Sequence, residues 1–285
     1  MSDFTDTEEI LDGPPPLEAG EVVAPGYEVI AHLHRSNNFD VYDAWSEERA
    51  SRCIAKVPCP DRADDPAVSQ GLFREGRLLT ELTHPHIVRA YETLKEPQPT
   101  LILETLTGAT LMHLIETRQR RLPLTAIVNL GLHLCSAVHY LHRHGILHLD
   151  LKPSNIVSER GLAKLLDLSI ARPPGRGEEG MGTLEYMSPE QARGGILSAA
   201  ADVWGIGAVL FEAATGEAPF DAYYDESRYD QLERRAEAVR LYRRVPAAFN
   251  DLVHSCLEPD SALRPTVDEV AESLTALLQR GSRSG

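Results

Sequence analysis

The spacing of apolar and polar positions divides the chain into two parts with different periods. Up to about residue 105, short runs of β-branched, aromatic and other apolar residues predict strands. The predicted strands are residues 27–33, 40–45, 52–57, 87–94 and 101–105. One helix is predicted among them, at 68–82, because its leucines form a single stripe: Leu72, Leu78, Leu79 and Leu82.

After Gly108 the pattern becomes helical. Its clearest segment is residues 124–143, where apolar residues recur every three or four positions: Ile127, Leu130, Leu134, Val138 and Leu141. Further helices, separated by prolines, are predicted at 201–215, 228–244, 247–256 and 267–279. We therefore expect an α+β protein with a small β-rich lobe, a larger helical lobe and a ligand cleft between them.

The segment before residue 27 differs from both parts. It contains seven acidic residues, no Lys or Arg, and three consecutive prolines. Such a stretch buries too little apolar surface to offset the entropy of ordering it, so residues 1–26 are predicted to be a disordered leader, with order beginning near Tyr27. The lobes are predicted at 27–106 and 107–280, followed by a short tail at 281–285.

The composition narrows the classes of partner. The net charge is −15, about half of it in the leader, which disfavours binding to nucleic acid or to an anionic membrane surface. The four cysteines lack C-x-x-C spacing, which disfavours a zinc ribbon or redox pair and favours a reducing compartment. The N-terminus does not have the pattern of a signal peptide. The sequence contains no uninterrupted run of about eighteen apolar residues, so a membrane span is not expected. A cytoplasmic location is expected.

Two polar clusters carry the chemistry. One is the run His-Leu-Asp-Leu-Lys-Pro-Ser-Asn from His148 to Asn155, and the other is Asp167-Leu168-Ser169. They resemble the catalytic loop and metal-binding motif of protein kinases, and the resemblance extends from about residue 27 to 278. The sequence looks most like the eukaryotic-type (Hanks-type) Ser/Thr kinases of bacteria. The resemblance implies a two-lobed protein kinase fold, ATP and Mg²⁺ as cofactors, and protein substrates phosphorylated on Ser or Thr.

The resemblance also implies a role for each residue of these clusters. Asp150 is expected to orient the acceptor hydroxyl and accept its proton, and Lys152 to balance charge on the γ-phosphate. Asn155 and Asp167 are expected to hold magnesium, because this hard cation prefers oxygen ligands. Ordinary polar turns are the plainer interpretation of either cluster alone, but the two clusters in order disfavour it.

An ATP site follows from the same resemblance. Lys56 matches the strand lysine that grips the α- and β-phosphates, and Glu75 on the predicted helix is its expected ion-pair partner. For either residue taken singly, a solvated surface charge is the alternative. Leu103 is expected to be the gatekeeper. The other expected ATP contacts are Leu33, Ser36, Val41, Ala55, Glu104 and Leu106.

Residues further along match structural positions of the family. The run from Gly182 to Glu190 resembles the end of an activation segment, and Asp202 is expected to brace the backbone of the catalytic loop. Glu190 is expected to pair with Arg264. Thr183, together with the lysine of the catalytic loop, favours specificity for serine and threonine over tyrosine.

The loop that covers the phosphates departs from the family pattern. The three glycines of G-x-G-x-x-G are replaced by His34, Ser36 and Phe39, so the loop is expected to approach phosphates less closely. Ser36 still offers a hydroxyl, and a simple β-hairpin with a polar turn is the alternative. This departure keeps open a second hypothesis, a nucleotide-binding pseudokinase or scaffold. A small-molecule phosphotransferase is disfavoured by the activation-segment motifs.

The activation segment departs as well. Leu149 replaces the arginine that binds a phosphorylated activation loop, and Leu168, beside His148 in the family pattern, stands where phenylalanine is usual. Ser169 replaces a glycine, and residues 170–182 contain no Ser, Thr or Tyr. Phosphorylation of the activation loop is therefore not expected to be the switch.

Two threonines of the leader, Thr5 and Thr7, are candidate autophosphorylation sites. Their phosphorylation would need self-association, in which one copy presents its leader to the active site of another. An unmodified, solubilising tail is the favoured alternative.

Overall fold

The computed structural model describes residues 14–117, 121–222 and 229–281. The chain divides into two compact units. The β-rich unit contains the described residues up to Thr80 together with Arg89–Thr105, and the helical unit contains Glu81–Val88 and the described residues from Leu106 onward. The division after Thr105 lies one residue before the predicted lobe boundary.

The β-rich unit is built on one antiparallel sheet of six strands in the order β1-β2-β3-β4-β6-β5. Its elements are β1 Val22–Ala24, β2 Tyr27–Arg35, β3 Phe39–Ser46, β4 Ser51–Pro58, α1 Pro66–Glu81, β5 Ala90–Leu94 and β6 Thr100–Glu104. Four of the predicted strands match β2, β3, β4 and β6 to within two residues at each end. The fifth begins three residues later than predicted, at Ala90.

The alternation of side chains in β3 and β4 determines what the sheet buries. Tyr42 of β3 lies opposite Ala55 of β4, and both belong to a buried apolar cluster. The next pair, Val41 opposite Lys56, lies on the other face because successive side chains of a strand alternate. That second face carries the lysine of the predicted ATP site.

The prediction that order begins near Tyr27 is wrong. Val22–Ala24 form β1, which pairs with β2, and two of its three side chains are buried. The backbone N–H of Leu17 donates to the Tyr42 hydroxyl at 3.0 Å, and Leu17 packs against the buried cluster. A few apolar residues therefore suffice to order this acidic stretch, because the sheet offers them a cluster to cover. Residues 1–13 lie outside the described residues.

Helix α1 packs closely on β5 at a glycine. A Cβ atom at Gly76 would lie 2.1 Å from Thr93 Oγ1, far inside van der Waals contact. Leu72 and Leu79 on the same helix are fully buried. Glycine at position 76 therefore allows the close approach of α1, and it directly follows Glu75.

The helical unit contains three small strands, a two-stranded ribbon and several helices. Its elements are β7 Ala109–Thr110, α2 Leu111–Thr117, α3 Leu124–Arg143, β8 Ile156–Glu159, β9 Leu162–Leu165, β10 Gly175–Arg176, α4 Pro189–Ala192, β11 Ile196–Leu197, α5 Ala199–Thr215, α6 Asp230–Glu233, α7 Ala247–Cys256 and α8 Val267–Gly281. Strands β7, β8 and β9 form one sheet, and β10 pairs with β11. The predicted helices at 124–143 and 247–256 coincide with α3 and α7.

Residues Glu81–Val88 belong to the helical unit although they were predicted within the β-rich lobe. Ile87 forms a parallel bridge with Leu165 of β9, and the Val88 N–H donates to the Leu165 carbonyl at 2.9 Å. These backbone bonds explain why the predicted strand at 87–94 begins only at Ala90: its first residues pair with a different sheet.

Helix α5 forms the centre of the helical unit, since nearly all of its side chains are buried. Helix α3 packs against α5 and α8. Among the described residues, α3 is the one helix whose length and hydropathy would also allow it to cross a membrane. Half of its apolar segment is buried inside the fold. A core helix has the same properties, so the absence of a membrane span stays a prediction.

The prediction of one helix over 228–244 is wrong. The described part contains only the short α6, Asp230–Glu233, and a 3-10 turn at Val239–Leu241. The Gln231 side chain is buried and donates to two backbone carbonyls of the activation segment. These tertiary contacts override the local helical pattern, which is a weak preference.

Candidate active site

Lys56 and Glu75 form the predicted ion pair within the β-rich unit. Lys56 Nζ lies 2.8 Å from Glu75 Oε2, and the side chains are only 9% and 1% exposed. The ammonium nitrogen also lies 4.8 Å from the centre of the Phe39 ring, a distance that allows a cation–π contact. These contacts hold the lysine in one orientation.

The residues predicted to cover adenine lie on different faces of the sheet. Val41 and Leu103 share the face of Lys56, since Val41 pairs with Lys56 and Leu103 pairs with Ile54. Ala55 faces the buried cluster on the opposite side, so the prediction that it contacts adenine is wrong. Ile54 instead shares the face of the lysine.

The remaining predicted ATP contacts lie at the ends of strands. Leu33 is exposed on β2, and the hydroxyl of Ser36 is hydrogen-bonded within its own turn. Glu104 ends β6, and its backbone N–H donates to the Arg89 carbonyl at 3.0 Å. Leu106 is half-buried and begins the helical unit.

Asp150 is the centre of a polar constellation in the helical unit. Its Oδ1 accepts a hydrogen bond from Thr183 Oγ1 at 2.7 Å, and its Oδ2 accepts one from Asn155 Nδ2 at 2.9 Å. Lys152 Nζ lies 3.2 Å from Oδ2 and donates to Thr183 Oγ1 at 2.7 Å. Four predicted site residues are therefore in direct contact, and the carboxylate is held in a defined orientation.

Asn155 and Asp167, the predicted metal ligands, come close through the backbone. The N–H of Leu166 donates to the Asn155 carbonyl at 2.8 Å. Both hydrogen bonds of the Asn155 side chain use its amide nitrogen, which leaves the carbonyl oxygen as its metal-binding group. Asp167 has a positive φ of 55°, and its Oδ1 accepts from the Ser169 N–H at 2.9 Å. An amide oxygen and a carboxylate fit magnesium, which takes its other ligands from water and phosphates.

Asp202 binds the backbone of the catalytic loop, as predicted. Its carboxylate accepts the backbone N–H groups of His148 at 2.9 Å and Leu149 at 2.8 Å. The His142 ring nitrogen lies 2.7 Å from the same carboxylate. His148 is buried, and its Nδ1 accepts the N–H of Asp150 at 3.3 Å. The brace therefore supports the backbone on both sides of the histidine.

Leu149 is buried where the family pattern has an arginine. It has a positive φ of 69° and belongs to a small apolar cluster with Leu147, Leu197 and Ala201. Ile170 and Met181 of the activation segment pack against this group, which we call the activation-segment cluster. An apolar contact therefore joins the catalytic loop to the activation segment.

Gln191 adds polar contacts to the same region. Its Nε2 donates to the carbonyl oxygens of Leu149 and Met181, each at 2.8 Å. The glutamine is held by a capping box at the start of α4, in which Ser188 is the N-cap. Ser188 therefore has a structural role, because it orients the glutamine side chain that connects the catalytic loop to the activation segment.

The predicted pair between Glu190 and Arg264 is bidentate. The two guanidinium nitrogens lie 2.7 and 2.9 Å from the carboxylate oxygens, and the arginine side chain is fully buried. The guanidinium also donates to three backbone carbonyls and lies 4.9 Å from the centre of the Trp204 ring. It thus links the end of the activation segment to the core of the helical unit.

The segment after Thr183 is anchored by a second buried pair. The Tyr186 hydroxyl donates to Glu212 Oε2 at 2.7 Å, and both residues are buried. Burial raises the pKa of Tyr186, and the neighbouring Glu212 carboxylate raises it further. Burial also raises the pKa of Glu212.

Several supporting residues were not identified from the sequence. His142, Gln191 and Gln231 act through long-range contacts, and for His142 and Gln231 no local pattern reveals them. The Ser-x-x-Gln spacing from Ser188 was the one available signal, because it is typical of a capping box. The two-residue alternation from Lys56 also pointed to Ile54.

Comparisons with known proteins agree with this geometry. Residues 27–274 match the family model described as the protein kinase domain. The chain is 35% identical over 217 residues to the serine/threonine-protein kinase PknB of Mycolicibacterium smegmatis, covering 71% of this chain and 33% of that protein. It is 30% identical over 271 residues to the probable serine/threonine-protein kinase PknB of Lactococcus lactis, covering 91% and 42% respectively.

A further relative is the DNA damage-responsive serine/threonine-protein kinase RqkA of Deinococcus radiodurans, 32% identical over 282 residues, covering 93% of this chain and 41% of that protein. The chain thus spans about a third to two fifths of the length of these relatives. The match to the family model covers most of the chain and includes the Lys56–Glu75 pair and the Asp150 constellation. The chain therefore belongs to the protein kinase domain family and is similar to bacterial Ser/Thr kinases of the Hanks type.

Proposed function

We propose that this chain is a Ser/Thr protein kinase that transfers the γ-phosphoryl group of ATP to hydroxyls of protein substrates. The observation that carries the proposal is the orientation of Asp150, whose two carboxylate oxygens are held by Thr183, Asn155 and Lys152. A carboxylate held in this way can align an acceptor hydroxyl and take its proton. The printed names of the relatives support the same activity.

In the proposed reaction the acceptor oxygen forms a bond to the γ-phosphorus while the bond to the β–γ bridging oxygen breaks and ADP leaves. Asp150 accepts the proton of the hydroxyl, and Lys152 stabilises charge on the transferred group. Lys56, fixed by Glu75, binds the α- and β-phosphates. Asn155 and Asp167 would hold magnesium, which would supply neutralisation of the phosphate charge.

A transfer assay with labelled ATP, magnesium and a generic protein substrate tests this proposal. Wild-type protein is expected to transfer label, and Lys56→Met, which removes the phosphate-binding ammonium group, is expected to lose transfer. If wild-type protein binds nucleotide but transfers no label under any condition, the pseudokinase hypothesis replaces the kinase. The altered phosphate-covering turn is the observation that supports the pseudokinase hypothesis.

We also propose that activation-loop phosphorylation does not switch the enzyme. The activation-segment cluster and Gln191 already connect the segment to Leu149, without a phosphate. In kinases that have the arginine, phosphorylation orders the loop through a new charged contact. Here the apolar contact replaces that function.

Phosphatase treatment is therefore expected to leave the initial rate of transfer unchanged within about twofold, since no phosphate contact orders the loop. The measurement compares treated and untreated protein, with mass spectrometry to verify that phosphate has been removed. A large loss of rate that is restored by rephosphorylation at Ser169, Thr183, Tyr186 or Ser188 would contradict the proposal.

The remaining aspects of function are proposals that rest on composition and on the family. The net charge supports the absence of a nucleic acid partner, and the cysteine pattern supports a cytoplasmic location. Protein substrates are what membership of the protein kinase domain family implies. Thr5 and Thr7, the candidate sites for autophosphorylation between associated copies, lie outside the described residues. Mass spectrometry after incubation with ATP tests them directly.

A further inference from the structure

The turn between β2 and β3 satisfies its own hydrogen-bonding groups. Ser36 Oγ accepts the backbone N–H of Phe39 at 3.1 Å and lies 3.5 Å from the N–H of Asn38. The same hydroxyl lies 3.2 Å from the Phe39 carbonyl, to which the Ser36 N–H also donates at 2.8 Å. This turn occupies the positions where the family pattern has its phosphate-covering glycines.

The turn is also anchored from outside. The Cys59 N–H donates to the Asn38 carbonyl at 2.9 Å. Arg35 and Asp40, on the two sides of the turn, form a buried bidentate pair with both distances at 2.7 Å. A third nitrogen of Arg35 donates to the Pro14 carbonyl at 2.7 Å. These bonds do not involve the Ser36 hydroxyl, so they remain when that hydroxyl is removed.

Converging backbone N–H groups in a turn bind anions, including phosphate oxygens. In this turn a side-chain oxygen already occupies that place. We propose that Ser36 is an internal competitor for the nucleotide phosphates: its hydroxyl occupies the Asn38 and Phe39 N–H groups, which a phosphate must take from it on binding. This inference rests on the proposed function and assigns Ser36 a role in setting nucleotide affinity.

The proposal reverses the role expected for this hydroxyl from the sequence. A serine at a glycine position offers an additional group to a phosphate only if the hydroxyl faces the ligand. Here the hydroxyl faces its own backbone, so a phosphate must replace an internal hydrogen bond to reach these N–H groups. Binding therefore gains less free energy than it would at N–H groups that have no internal acceptor. The wild-type residue therefore weakens nucleotide binding.

Titration calorimetry with Mg·ADP tests the proposal on the full chain. Ser36→Ala and Ser36→Gly are expected to bind Mg·ADP about two- to tenfold more tightly than wild type, the factor that corresponds to one net hydrogen bond. Ser36→Thr, which retains the hydroxyl, is expected to restore wild-type affinity. In the transfer assay the KM for ATP is expected to fall by a similar factor in the alanine and glycine variants, without a rise in kcat.

Ser46→Ala is the matched control. Ser46 is the last residue of β3, directly before the turn to β4, and its hydroxyl accepts the Arg49 N–H of that turn at 3.3 Å. Its removal also deletes a serine-to-backbone bond, but far from the phosphate-covering turn in sequence. It is expected to leave the affinity for Mg·ADP unchanged.

Unchanged or weaker binding in both Ser36→Ala and Ser36→Gly, in proteins whose thermal unfolding shows them folded, would overturn the proposal. A similar gain of affinity in Ser46→Ala or in Ser36→Thr would also overturn it, because the gain would not depend on the Ser36 hydroxyl. If neither wild type nor any variant binds nucleotide, the proposed kinase function itself is contradicted. If the proteins bind nucleotide but transfer no phosphoryl group, only the proposed kinase function is contradicted, and the affinities still decide the role of Ser36.

Discussion

Replacing Asp150 with asparagine is expected to lower kcat for phosphoryl transfer by about 10²- to 10⁴-fold, the usual contribution of a general base. Asparagine has nearly the same shape and can keep a hydrogen bond to Thr183, but it cannot accept the proton of the hydroxyl. The carboxylate is partly exposed in a loop, so the variant is expected to remain folded. The measurement is initial-rate kinetics together with circular dichroism.

Asp167→Asn separates proton transfer from metal binding. Both variants are expected to lose transfer, but only Asp167→Asn is expected to lose the magnesium dependence of nucleotide affinity, because it removes a ligand charge. Asp150→Asn should bind Mg·ADP like wild type. Substantial transfer by a folded Asp150→Asn protein would contradict the assignment of Asp150 as the base.

Arg264→Met is expected to produce a large loss of stability, about 3–5 kcal/mol, since it leaves Glu190 without its partner in a largely buried site. Methionine fills part of the volume beside Trp204 but donates no hydrogen bond. The carbonyl groups that the guanidinium binds also lose their donor. Urea unfolding measures the difference in the free energy of unfolding.

Arg235→Met provides the matched control for this stability prediction. Arg235 also forms a bidentate pair, with Glu258 at 2.7 and 2.8 Å, but its side chain is 56% exposed. Removal of this exposed pair is expected to change the free energy of unfolding far less than Arg264→Met does, because water screens the charges. Equal losses in the two variants would show that burial does not govern the contribution of the Arg264 pair.

The accuracy of the sequence predictions depended on how local the signal was. Helices α3 and α7 were predicted with their observed bounds because each has one apolar stripe that faces the core. The stretch at 228–244 has a similar spacing but forms only α6 and a 3-10 turn. Buried Gln231 bonds the activation segment there, and no local pattern reveals a partner more than forty residues away.

The site shows the same limit. The motifs located Lys56, Glu75, Asp150 and Asn155, since their order along the chain resembles the family pattern. The structure forms the predicted Lys56–Glu75 pair, and it also brings Asn155 into contact with Asp150, which was not predicted. Ala55 was assigned to the wrong face, although strand alternation from Lys56 was sufficient to assign Ile54 instead. The error arose because Ala55 was assigned from the motif alone, without the alternation of side chains along the strand.

The sequence by itself determined the two-part α+β organisation, the family and the chemical groups of the site, because these depend on residue type and spacing. Only the tertiary structure decided how the departures from the family pattern are accommodated. Leu149 becomes part of an apolar contact with the activation segment, and the Ser36 hydroxyl accepts a backbone N–H of its own turn. Both outcomes depend on which groups are nearest in space, and residues distant in the chain supply the contacts that stabilise them.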